Sequence, residues 1–278
     1  MPEPLPDGPG QRPAPAPTPP ARATAIPGTL LPGPGSRFVF LHAHPDDETL
    51  STGVLLAWLA ARGDGVAVVT ATRGELGDVV PGPLAPLAGT PALVEHRVGE
   101  LAGALAALGV RDHVFLGSPP ARAAGREARR YTDSGMRWLD EAETLAGPGG
   151  QAGRDSLTLA PIEEAAADLA AYLRWFAADA VVGYDRHGGY GHPDHVACHE
   201  IADAAAELAG VPFVEVVSEP LLPVEGAVAF ALPEYLPSVQ RALASHASQL
   251  SVEGEEVVHS GGQRQPIVTT VHLVRPRP

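Results

Sequence analysis

The sequence predicts a mostly parallel α/β sheet with helices on both faces, on the strength of three observations. Short apolar runs alternate with segments of helical periodicity from Phe38 onward. The runs have strand length, and the segments between them are long enough to cross back over a sheet. Two of the runs end in the same polar signature, His-Pro-Asp, at residues 44–46 and 192–194. Ligands of such sheets bind beyond the carboxyl ends of the strands, which is where both signatures fall.

The elements follow in order. "RFVFLHA" reads as the first strand, and "DETLSTGVLLAWLAARG" as a helix closed by Gly63. "GVAVVTAT" is the second strand. In "ALVEHRVGELAGALAALGV", Val94, Val98, Leu101, Leu105 and Leu108 share one helical face, and Gly109 is placed to cap it. "HVFLG" is the third strand. Ser118 to Gly153 is a long Gly- and Arg-rich loop, of a length that is often functional in a compact domain. "PIEEAAADLAAYLRWFAADA" is a helix with Pro161 at its first position and a face of Ile162, Ala166, Leu169, Leu173 and Phe176. "AVVGYD" is the fourth strand, followed by the helix "PDHVACHEIADAAAELAG". "FVEVV" and "VAFAL" are further strands, and a helix is expected from about Pro233 to Leu250.

The first 36 residues differ in kind. Their Pro/Ala/Gly content reads as a disordered, partly polyproline tail, leaving residues 37–278 as one domain. They lack the charged start and apolar core of a secretory signal. No run approaches the roughly 20 apolar residues of a membrane span, so no membrane association is expected. The formal charge is −14, and all 19 basic residues are arginine. Lysine and asparagine are both absent; their codons are A-rich, so a GC-rich genome is the simplest reading. Phosphate binding needs clustered cations, so the acidity excludes nucleic acid as an expected partner. A single cysteine, Cys198, rules out an internal disulfide and fits a reducing, cytoplasmic compartment. The sequence leaves the oligomeric state open.

The chemistry is concentrated in "HPDDE" (44–48) and "GHPDH" (191–195). Proline disfavours helix at the residue before it, so His44 should stay at the strand end while Asp46, Asp47 and Glu48 enter the first helical turn. A helix N-terminus favours negative charge by roughly 0.3–1 kcal/mol per group. That explains one or two carboxylates, but neither the histidine nor the second copy of the motif. A divalent metal explains both. His44 and one adjacent carboxylate can reach a single ion, His195 can supply a third ligand, and a position stays open for water. The remaining carboxylate is then free to take a proton. Two histidines and one carboxylate can also hold non-haem iron for oxygen chemistry, although no cosubstrate signature accompanies them here. A non-catalytic binding module on the same fold would have no need of the spare acid.

His187, His199 and His96 read as ordinary surface or packed residues, and Cys198 as a small core residue. Glu75 and Asp78 are equally open to lining the cleft or to plain loop polarity. Arg122, Arg126, Arg129 and Arg130 read as a solvated cluster, with a lid over an anionic substrate as the alternative.

Together, "AHPDDE" and "GHPDH" resemble the LmbE-like, or PIG-L, zinc deacetylases, which remove an acyl group from N-acylated amino sugars and related amides. The resemblance spans about Phe38 to Gly210. "HRVGELAGALAALGV", "YTDSGM" and "YDRHGGYGHPDHV" are similar to the branch acting on N-acetylglucosaminyl-inositol in mycothiol biosynthesis, and "ALASHASQL" belongs to the same likeness. The resemblance implies a Rossmann-like fold and one zinc ion per chain on His44, Asp47 and His195, with iron(II) or another divalent ion fitting the same ligands. It implies Asp46 as general base, His192 polarising the amide carbonyl with Asp194 orienting it, and Tyr190 approaching the same oxygen. Arg97 and Asp133 would hold hydroxyls of a small amino-sugar substrate. A related branch, the mycothiol S-conjugate amidases, carries a lysine shortly after its "HPDDE", and this chain has none.

Overall fold

The computed structural model describes residues 30–218 and 224–276. The expected tail lies outside these residues up to position 29. Of the stretch assigned to the tail, residues 30–36 are described, and Leu31 is buried in the core. Packing against the core therefore extends at least six residues before the first strand.

In chain order the elements are β1 (Arg37–His42), α1 (Asp47–Ala61), β2 (Gly65–Thr70), α2 (Pro91–Leu108), β3 (Asp112–Phe115), the hairpin β4 (Met136–Trp138) and β5 (Ala146–Pro148), α3 (Ile162–Trp175), β6 (Ala180–Tyr184), α4 (Pro193–Ala209), β7 (Phe213–Val216), β8 (Val228–Ala231), α5 (Leu236–Leu243), β9 (Leu250–Glu253), β10 (Glu256–His259), β11 (Arg264–Pro266) and β12 (Thr270–Val274). The main sheet has the order β3-β2-β1-β6-β7-β12-β8. Strands β3, β2, β1, β6 and β7 are all parallel. β12 then runs antiparallel to both β7 and β8.

Strand alternation sorts the core into two layers. Val39 and Leu41 of β1 face α3 and α4, together with Val69 and Val181. Phe38 and Phe40 face α1, α2 and α5, together with Val68 and Val182. Because both faces are covered, the strands read as continuous apolar runs. Each fully buried side chain of this kind contributes about 2 kcal/mol.

The chain builds outward from β1 through β2 to β3, then returns to start β6 on the other side of β1. The strand order therefore reverses between β1 and β6, and the crevice at their carboxyl ends receives both His-Pro-Asp loops.

Several expectations need correction. Pro161 precedes α3 rather than opening it; its ψ of 125° is extended, and its carbonyl accepts the first helical N–H bonds. The buried stripe of α2 includes Arg97 and Glu100, with Val98 only half-buried, because that face also serves polar groups of the crevice. The long loop contains the β4–β5 hairpin. The expected C-terminal helix is shorter, ending at Leu243 and giving way to a turn and the small sheet β11-β10-β9.

The arginine cluster is mostly structural. Asp168, fully buried on α3, accepts bonds from Arg122 Nη1 (2.7 Å), the Ala123 amide (2.8 Å) and the Tyr131 hydroxyl (2.8 Å). Glu164 accepts from Arg122 and Arg129, and Arg130 pairs with Glu75. These contacts bolt the long loop to α3 and occupy the cations that a lid would need. Asp168→Ala leaves the buried Tyr131 hydroxyl and the Ala123 amide without their acceptor and the Arg122 guanidinium with Glu164 and the Glu127 carbonyl alone, so it should cost about 3 kcal/mol in urea unfolding. A loss below about 1 kcal/mol, the worth of an exposed pair, would show that the network does not hold the loop.

Candidate active site

The two motifs enter their helices differently. In the second, Pro193 is the first residue of α4 and His192 caps it, its Nδ1 accepting the Asp194 N–H at 3.1 Å. In the first, Pro45 lies in a turn, α1 begins only at Asp47, and Asp46 is the cap, with φ 105° and ψ −33°. A positive φ at a non-glycine residue costs on the order of 1–3 kcal/mol and persists only where the surroundings enforce it. Here Arg97 donates from Nη2 to the Pro45 carbonyl (2.6 Å) and to the Asp46 carboxylate (3.3 Å), and from Nη1 to the Gly74 carbonyl (2.7 Å).

Asp47 Oδ2 is the centre of the constellation. It lies 3.2 Å from His44 Nδ1 and 3.2 Å from His195 Nε2. The latter contact lacks hydrogen-bond alignment, so His195 Nε2 is a buried nitrogen with no partner. The other face of the His195 ring is fixed: Nδ1 lies 3.2 Å from the Gly188 carbonyl, to which it donates, leaving a lone pair on Nε2. Gly188 is required there. Its φ is 63°, and a Cβ would fall 2.7 Å from the Val196 nitrogen. Tyr184 stacks on His195 with ring centroids 4.3 Å apart. His44 Nε2 lies 3.1 Å from Asp194 Oδ2 and 3.7 Å from Asp133 Oδ1.

One carboxylate oxygen between two imidazole nitrogens, one of them an unpartnered lone pair, fits a divalent metal. His192 also lies within reach, since His44, His192 and His195 offer nitrogens within 4.8 Å of one another. Electrostatics agree with a cation site. Burial opposes ionisation of Asp47, yet His195 and His44 hold its carboxyl well below the usual carboxylate range. His44 is pushed well above the ordinary imidazole value by Asp133, Asp194 and Asp47, despite its burial.

Burial raises the Asp46 carboxyl to about 6, against the pull of Arg97, which suits a proton acceptor near neutrality. Burial and the adjacent His44 and His195 hold His192 neutral, down to about 2. Because Nδ1 accepts the helix N–H, the proton of the neutral ring sits on Nε2, making it a donor.

All nine residues expected from the sequence gather at this crevice, but some contacts differ from expectation. The Asp194 carboxylate engages His44 and the Ser134 amide; only its backbone touches His192. Arg97 is 3% exposed and committed largely to Asp46 and its loop. Asp133 accepts from the Leu76 and Gly135 amides, and Glu75 in turn accepts from the Asp133 N–H. Tyr190 is 39% exposed, its ring 5.2 Å from His195 and 5.6 Å from Trp138 of the hairpin. His199 Nδ1 is taken by the Tyr184 carbonyl at 3.0 Å. Cys198 is fully buried, and burial raises its thiol well above the ordinary value.

The family profile described as GlcNAc-PI de-N-acetylase, PIG-L, matches residues 39–206. The chain belongs to this family. A Kineococcus radiotolerans protein named 1D-myo-inositol 2-acetamido-2-deoxy-alpha-D-glucopyranoside deacetylase is 48% identical over 62% of this chain, a match spanning only 45% of that protein's own length. A Nocardiopsis dassonvillei protein of the same name is 36% identical over 86% of this chain and 95% of its own. The chain thus spans about half of one relative and nearly all of another. Among solved structures, a deacetylase–teicoplanin complex superposes with a TM-score of 0.56 at 21% identity, covering 87% of this chain and 100% of that one. A Pseudomonas hydratase, GalB, superposes at 0.51 with 16% identity over 87% and 97%. These two likenesses show the fold alone.

Proposed function

We propose that this PIG-L family member is a zinc-dependent N-deacetylase of a small amino sugar, with N-acetylglucosaminyl-inositol as its substrate. The observation that carries the reading is the convergence of Asp47 on His44 and His195, with the ionisable Asp46 beside it in the same crevice. Zinc would be held by His44, Asp47 and His195; when bound, it supplies Lewis acidity at neutral pH.

The chain's own groups perform the rest. Asp46 accepts a proton from the attacking water as oxygen bonds to the acetamide carbon. His192 donates its Nε2–H to the carbonyl oxygen as negative charge develops there. Asp46 returns the proton to the nitrogen as the C–N bond breaks, releasing acetate and the free amine. Tyr190 flanks His192 at the open side of the crevice. In this reading Asp133 and Arg97 also hold sugar hydroxyls, Arg97 from terminal nitrogens that already donate to Pro45, Asp46 and Gly74. Residues 37–278 act as one catalytic domain in this reading, and a cytoplasmic setting agrees with the lone buried thiol. Among the described residues no helix is long and apolar enough to cross a membrane.

The test is amine release from the zinc-loaded protein on three substrates. N-acetylglucosaminyl-inositol should be preferred to free N-acetylglucosamine by about 10-fold or more in kcat/KM, since a site built for hydroxyls rejects analogues lacking them. It should also exceed a mycothiol S-conjugate. Equal or better cleavage of the conjugate would move the protein to the amidase branch. Amine release from none of them would end the deacetylase reading, and oxygen consumption during turnover would put the iron class in its place.

A further inference from the structure

A second polar cluster lies directly behind the crevice, and the chemistry above does not use it. Glu48 on α1 and His246 in the turn after α5 are both fully buried, with His246 Nε2 2.9 Å from Glu48 Oε1. The other oxygen, Glu48 Oε2, accepts the backbone N–H of Asp46 at 2.9 Å. This is the residue whose φ stands at 105°. The turn itself is anchored: Ser248 donates from both its amide and its hydroxyl to Glu100 of α2, each at 2.7 Å. The His246 amide bonds to the Leu243 carbonyl at 2.9 Å.

We propose that His246, acting through Glu48, is a positioning residue that holds Asp46 in its positive-φ conformation with its carboxylate turned to the crevice. The clamp has two jaws. On one side Arg97 takes the Pro45 carbonyl and the Asp46 carboxylate. On the other, Glu48 takes the Asp46 N–H, while His246 and the neighbouring Thr49 hydroxyl both donate to Oε1 and fix which way the Glu48 carboxylate faces, His246 being the donor that ties it to the rest of the fold. Helix capping accounts for Glu48 alone, because a carboxylate in the first turn satisfies free N–H groups without any help. It does not account for a histidine brought from nearly two hundred residues away into a fully buried contact. A buried ion pair is a poor source of stability compared with apolar packing, so its presence behind a strained residue points to geometry.

The inference rests on Asp46 acting as the base in the proposed deacetylase, and one readout is independent of that. His246→Leu removes the donor, while His246→Gln keeps a side-chain N–H near the same place. In wild type and both variants, amide hydrogen exchange of the segment 45–49 is followed by mass spectrometry, with bound zinc and amine release measured on the same samples. In His246→Leu, exchange at Asp46 should rise about 10-fold or more, as expected for a local bond released without global unfolding. kcat should fall about 10-fold, with KM and metal content within about twofold, the pattern of a group misplaced in the transition state. His246→Gln should recover most of both. Unchanged exchange at Asp46 in His246→Leu overturns the clamp, whatever substrate the protein uses. So does a loss of kcat that His246→Gln does not rescue, or one that merely follows loss of zinc. If His246→Leu does not fold, His246→Asn, too short to reach Glu48, carries the same expectations. A protein that releases no amine from any substrate but shows the exchange change would overturn the deacetylase reading and leave the clamp standing.

Discussion

Asp46→Asn is expected to lower kcat by about 10²-fold or more while leaving the metal content at the wild-type level. The substitution is unusually clean here. Asparagine is among the few residues that tolerate positive φ, so the conformation at 105° should survive the change. The backbone N–H that Glu48 accepts is untouched, and the side-chain oxygen can still receive the Arg97 bond. Only the capacity to take and return a proton is removed. Burial raises the carboxyl to about 6, so in the wild type a large fraction is ionised at neutral pH and able to accept. The checks are metal analysis of the dialysed protein and the rate of amine release. Loss of metal in Asp46→Asn together with retention in Asp47→Asn would mean that the two neighbours exchange roles. Full activity in a metal-replete Asp46→Asn would remove the base from the mechanism altogether.

The parallel half of the fold was legible because its signals are local. Apolar runs of strand length, Gly109 as a left-handed cap, and the amphipathic face of α3 each fix one element without reference to the rest. The meeting of the two motifs was legible because each carries a proline just past a strand end, and the switch point between β1 and β6 brings both strand ends together. What the sequence hid is long-range. Nothing near position 246 announces that its imidazole meets Glu48, and nothing near position 194 says that its carboxylate turns to His44 rather than His192. Asp46 was expected within a helical turn. The strained cap became visible only with the Arg97 and Glu48 contacts that enforce it. The less regular C-terminal part reads as a mixture of strands and a helix, but its strands have no fixed place in the sequence for a related reason: β9, β10 and β11 have three or four residues each, too few for a period to show. Fold alone would not have yielded the chemistry either. The deacetylase–teicoplanin complex and the hydratase superpose on this chain about equally well. The function is argued from the crevice, as it must be where one scaffold hosts different reactions.

The metal site gives the most severe expectation. His44→Ala, Asp47→Ala and His195→Ala should each reduce bound metal from about one ion per chain to under a tenth of that, because each leaves only two of the three proposed ligands. Activity should fall with it to background. Thermal unfolding supplies a readout that needs no substrate. At zinc about 100-fold above its Kd, the wild type should gain about 2.7 kcal/mol, a stabilisation absent from the three variants. The His44 contact refines the test. Asp194 Oδ2 lies 3.1 Å from His44 Nε2, the arrangement in which a carboxylate orients and strengthens a ligating imidazole. Asp194→Asn should then weaken zinc affinity by about 10- to 100-fold while the donors remain in place. If Asp194 instead served His192, the same variant would bind zinc normally and lose only kcat. Two buried acids, Asp133 and Asp194, face the same edge of His44, so Asp133→Asn is the natural control. At 3.7 Å it should disturb metal binding less than Asp194→Asn does. Metal retained at full occupancy in all three alanine variants would show that the ion, if there is one, is held elsewhere, and the proposed mechanism would fall with it.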